Sequence, residues 1–144
     1  MASPTLVLTD TPSPQFERLI GDNLDAFNQQ ITGQRHAHSL AVMITEPDTG
    51  NVLGGLIGRT SLGLLFVDLI FVPESLRGTG LGAQVMRLAE AEAIRRGCSQ
   101  AVLYTIAFQA PDFYRRLGYE AFGKVESGPA EQARIFMRKD LHPH

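Results

Sequence analysis

The chain has 144 residues, 44% hydrophobic and 19% charged, with a formal net charge of −2 at pH 7. One soluble α/β domain spanning 1–144 is the simplest organisation at this length, burying roughly two-thirds of the surface its unfolded chain exposes. The charge balance offers no sequence-wide basic field for nucleic acid, and a single cysteine, Cys98, excludes an internal disulfide framework and any Cys/His zinc spacing.

Met1 to Pro14 has no basic segment followed by an apolar core, and no run approaches a bilayer crossing, so a cytoplasmic protein without membrane contact is expected. Thr5 to Leu8 reads as a short first strand, ended by Asp10-Thr11-Pro12. Ser13 can cap a helix and Pro14 can take its first position. Phe16, Leu19, Ile20, Leu24, Phe27 and Ile31 then recur at helical spacing, giving one core face, and Gly33 ends the helix. Leu40 to Thr45 and Val52 to Arg59 form a hairpin around Glu46-Pro47-Asp48-Thr49-Gly50, and Leu62 to Val72 is a longer third strand. Leu81, Val85, Leu88, Ala89 and Ile94 mark a second helix stopping at Gly97. Ala101 to Ile106 reads as a strand buried on both faces, parallel to the third because a helix crosses between them. Pro111 starts a short helix ended by Gly118, and Tyr119–Val125 with Gln132–Lys139 make a final strand pair.

Between the third strand and the second helix lies Arg77-Gly78-Thr79-Gly80-Leu81-Gly82. Three glycines in five residues cost conformational entropy, and the close approach of a ligand is the best compensation. Such a turn opening a helix leaves free N–H groups at the positive end of the helix dipole, a site for a phosphate or diphosphate. Gly78-Thr79-Gly80-Leu81-Gly82-Ala83 fits the dinucleotide pattern G-x-G-x-x-[GA] literally, but the context disagrees. Pro73 to Arg77 separate it from its strand, no carboxylate ends the next strand, and no Gly-Lys-[Ser/Thr] closes a P-loop.

Taken whole, Val72-Pro73-Glu74-Ser75-Leu76-Arg77-Gly78-Thr79-Gly80-Leu81-Gly82 and Ala110-Pro111-Asp112-Phe113-Tyr114-Arg115-Arg116-Leu117-Gly118-Tyr119 carry a different signal. Together they resemble the GNAT superfamily of acyl-CoA N-acyltransferases. The first block is similar to its R-x-x-G-x-[GA] diphosphate motif, the second to its A-x-x-x-Y-x-x-x-G-[FY] motif. The resemblance implies a mixed six- to seven-stranded sheet with a V-shaped splay and helices on both faces. It implies that backbone groups of Ile70, Phe71 and Val72 bond the pantetheine arm and acetyl carbonyl, and that amides from Arg77 through Gly78, Thr79, Gly80 and Leu81 to Gly82 hold the diphosphate. A preplaced N–H would stabilise the carbonyl oxygen as it gains charge under attack.

Tyr114 aligns with the tyrosine that protonates the leaving thiolate in the family; the plainer alternative is a half-buried tyrosine with a satisfied hydroxyl. Asp68, mid-strand in an apolar run, is the carboxylate placed to take the amine's proton, directly or through water, with burial raising its pKa. The alternatives are that it faces outward or pairs with an arginine, leaving the work to a water chain. Gln109 and Phe108 lie where the acceptor pocket is expected. The family's asparagine before the second motif is Ala107 here, so Gln109 is the substitute for that cofactor bond. His36 and His38 read as surface loop residues near the acceptor gate, and Cys98 as a small buried thiol. The implied reaction is direct transfer of acetyl from acetyl-CoA to a primary amine of a small molecule or peptide, without metal or nucleic acid; a homodimer is compatible with it. The rival readings are a non-catalytic acyl-CoA-binding regulatory domain and a nucleotide-binding module.

Overall fold

The computed structural model describes residues 2–33, 37–107 and 109–142. His36 and Phe108 lie outside them. The chain divides into two compact units, residues 1–36 and 37–144.

The first unit is a single helix, α1 (Pro14–Thr32), behind an irregular leader. Ser13 Oγ accepts from the Phe16 N–H at 3.1 Å, Pro14 fills the first turn, and Gly33 closes the helix by donating its N–H to the Gln29 carbonyl. Gly21 lies inside α1 without interrupting it. Thr5 to Leu8 forms no strand, because a strand exists only in a ladder and no described segment pairs with it; Leu8 is fully exposed. Among the described residues of this unit no second element is present for the stripe from Phe16 to Ile31 to pack on.

The second unit is one mixed sheet of β1 (His38–Thr45), β2 (Val52–Ser61), β3 (Leu64–Phe71), β4 (Gln100–Ile106), β5 (Glu120–Val125) and β6 (Arg134–Asp140), in the order β1-β2-β3-β4-β6-β5. It carries α2 (Leu81–Arg95) and α3 (Pro111–Arg116). Every neighbouring pair is antiparallel except β3 and β4, joined by the α2 crossover as the sequence predicts. The β2–β3 turn puts Leu62 at φ 49° and Gly63 at φ 81°, the twist a two-residue hairpin turn favours. The expected last pair forms, but β6 slots between β4 and β5.

The core lies where α2 crosses β1, β2 and β3. Leu65, Met86, Ala89, Ala93, Ala101 and Met137 have no exposed surface. The alanines let the helix approach the sheet closely, so the buried stripe of α2 runs through Val85, Met86, Ala89, Glu90 and Ala93, leaving Leu88 and Ile94 outside it. β4 is covered on one face only: Ala101, Leu103 and Thr105 are buried, whereas Tyr104 is exposed.

Candidate active site

β3 and β4 pair over three residues, Leu64, Leu65 and Phe66 opposite Gln100, Ala101 and Val102, and then part. The cause is visible on the other edge of β3. Ile57 pairs with Leu69 and Gly58 with Val67, so Asp68 is an extra residue with no partner in β2, a bulge that bends and twists its strand. Gly58 is required there, because a Cβ would come within 2.3 Å of the Phe66 carbonyl oxygen. Beyond the bulge, Val67 to Val72 and Leu103 to Ile106 form opposite walls of a cavity of about 1050 Å³. Arg77, Gly78, Gly80, Gly82 and Ala83 line the same space, as do Phe113, Tyr114 and Leu117.

The glycine loop gives this cavity a polar end. Gly78 and Gly80 take φ of 78° and 82°, values that side chains resist, and at neither would a Cβ meet another atom. The first α2 bond runs from Gln84 N–H to the Gly80 carbonyl, so among the described residues the amides from Gly78 to Ala83 have no internal acceptor. Six successive N–H groups at the positive end of a helix are suited to a doubly charged phosphate chain. Arg77 takes another part than the one expected of it: its amide donates to Glu74 and its Nε to the Val72 carbonyl at 2.9 Å. It braces the loop to the end of β3. The Thr79 hydroxyl closes the turn onto the Leu76 carbonyl.

Tyr114 is 6% exposed and stands in the cavity wall, its ring edge-on to Phe113 and to Tyr119 at centroid distances of 5.1 and 6.0 Å. It is more buried than Phe113 and Leu117, and all three face the cavity. Burial pushes the Tyr114 hydroxyl up from its ordinary pKa, keeping it protonated. Among the described residues no group hydrogen-bonds that hydroxyl, and Tyr114 lines the cavity. Asp68 also lines the cavity but is not buried: its side chain is 42% exposed and accepts from Arg59 Nη1 at 2.6 Å, while Arg59 lies 4.3 Å over the Phe66 ring. Of the alternatives, pairing with an arginine is observed. Gln109 reaches the cavity, with Oε1 accepting from the Ile106 N–H. Cys98 is buried, which raises its thiol pKa, and His38 begins β1 instead of lying in a loop. No group of metal-binding side chains occurs among the described residues, and no described helix is long and apolar enough to cross a membrane.

A V-shaped gap between parallel strands, a free-amide loop at its mouth and a tyrosine in its wall form one arrangement, and the model of the Acetyltransferase (GNAT) family matches residues 7–119. The chain belongs to the GNAT acetyltransferase family. It is 35% identical over 133 residues to an acetyltransferase of Agrobacterium fabrum, an alignment covering 92% of this chain and 96% of that one. It is 39% identical over 95 residues to the blasticidin-S acetyltransferase of Streptomyces morookaense, covering 65% of this chain and 70% of that protein. An acetyltransferase from Bacillus cereus has a crystal structure similar to this chain, with a TM-score of 0.72 at 26% identity over 93% of this chain and 97% of that one. GNAT acetyltransferases use acyl-CoA donors, and the residues present fit one: the amides from Gly78 to Ala83 for the diphosphate, and the β4-facing edge of β3 for the pantetheine.

Arg59, Glu90 and Lys139 pair across the fold but stand in no motif that singles them out in the sequence. Arg59 was readable in principle, since a turn at Leu62-Gly63 brings residue 59 near residue 68 across the hairpin. Glu90 also left a sign, because it falls on the same helical face as Met86 and Ala93, where an apolar residue belongs.

Proposed function

We propose that the chain is a single N-acetyltransferase domain that transfers acetyl from acetyl-CoA directly to a primary amine. The observation that carries this reading is the unbroken run of unbonded amides at the start of α2, opening onto the same cavity as Tyr114. Acetyl-CoA supplies an activated thioester carbonyl when bound. The chain's residues do the rest: the amides from Gly78 to Ala83 hold the diphosphate, and β3 edge groups at Ile70 and Phe71 orient the arm and the carbonyl. Tyr114, in the cavity wall, donates its proton to the departing sulfur. Asp68, paired with Arg59, draws the acceptor's ammonium to the cavity and relays its proton to water. A relative named for blasticidin S supports a small-molecule amine as acceptor over a peptide.

The test is Tyr114→Phe, assayed by thiol release with acetyl-CoA and a panel of amines that includes blasticidin S. The ring, and with it the packing, is retained, so kcat should fall by about 100-fold, the scale of a lost general acid, at unchanged acetyl-CoA affinity. An unchanged kcat would remove Tyr114 from this role, and binding of acetyl-CoA without turnover on any amine would favour a regulatory domain.

A further inference from the structure

Glu90 is 8% exposed on the sheet-facing side of α2, and a buried carboxylate is costly unless paired. It has two partners, one in the connection between α3 and β5 and one on β6. The Tyr119 hydroxyl donates to its Oε2 at 2.9 Å, and Lys139 Nζ of β6 donates to its Oε1 at 2.7 Å. Lys139 also lies 5.7 Å from the Tyr119 ring centroid, and Tyr119 itself is only 3% exposed. Replacing a buried ion pair by apolar groups is often neutral or stabilising, so stability is a poor account of this cluster. Direction is a better one. The cluster fixes the Tyr119 ring in place and orientation, and that ring is the one packed edge-on against Tyr114. The Tyr119 amide also donates to the Tyr114 carbonyl at 3.0 Å, tying the same residue to the last turn of α3.

Resting on the reading of Tyr114 as the proton donor, we infer that Glu90, with Lys139, is a positioning residue acting through Tyr119: it anchors the Tyr119 hydroxyl so that the Tyr119 ring holds Tyr114 aimed into the cavity. The Tyr114 backbone is held by its helix and by the Tyr119 amide, but among the described residues its hydroxyl has no partner, so the direction of the side chain is set by the rings packed on it. Phe113 contributes one edge and is itself in the cavity wall; Tyr119 contributes the other and is anchored from behind.

A double-mutant cycle tests this, using the full chain with saturating acetyl-CoA. Tyr119→Phe removes the anchor while keeping the ring, and Glu90→Gln removes the charge at constant size. Each should lower kcat by 3- to 10-fold and leave the KM for acetyl-CoA within twofold. In a Tyr114→Phe background the same substitutions should lower the residual kcat by less than 1.5-fold, because what they position has gone. A general loss of structure would cut kcat by the same factor in both backgrounds, and that result would overturn the inference, as would an unchanged kcat in both single variants. If Tyr119→Phe does not fold, Glu90→Gln carries the cycle alone. An unchanged kcat in Tyr114→Phe itself would overturn the reading of Tyr114, and this inference with it.

Discussion

The two ends of the β3–β4 pair do opposite things with the same backbone. At the start, Leu64 to Phe66 are laddered to β4, and Leu65 and Ala101 side by side have no exposed surface. Past the Asp68 bulge the ladder stops, polar backbone along β3 is left for something else, and the walls retreat around a cavity of about 1050 Å³. One inserted residue separates a stretch laddered into the core from a stretch that lines the cavity. The lesson is that the site is made by withholding hydrogen bonds from a sheet that could have continued.

The two ends can be broken separately. Leu65→Ala should cost about 2–5 kcal/mol of stability, the usual range for a fully buried leucine, read as a fall in the urea midpoint. Acetyl-CoA affinity of the remaining folded protein should hardly change. At the open end, Gly80→Leu should cost less, about 1–3 kcal/mol for a side chain forced to positive φ. Its larger consequence is functional: the added side chain enters the cavity beside the free amides and should weaken acetyl-CoA binding beyond detection by calorimetry, with secondary structure by circular dichroism unchanged. Retained binding would mean that the diphosphate lies elsewhere.

Much of this contrast was legible in the chain. The glycine loop, the α2 start and the β3–α2–β4 unit follow from Arg77 to Gly82 set between an apolar run and a helical one. Tyr114 followed from its motif. What was not legible depended on tertiary packing. Asp68 reads as buried in Leu64–Phe71, yet a bulge shifts register by one residue, and no local pattern announces which residue is extra. Leu88 and Ile94 mark α2 as a helix, but which of its faces is buried depends on the alanines that bring it close to the sheet. Thr5 to Leu8 has the composition of a strand, but composition cannot supply the neighbour that a ladder needs.

The most direct test of the central claim is a thermal-shift titration with acetyl-CoA, CoA, NAD and ATP. A ligand at a hundred times its Kd adds about 2.7 kcal/mol to the stability of the fold that binds it. Stabilisation by acetyl-CoA and CoA, and by neither NAD nor ATP, is the predicted result. A shift with NAD or ATP alone, or none with either CoA species, would contradict the assignment of the splayed strands and the free-amide loop to an acyl-CoA donor.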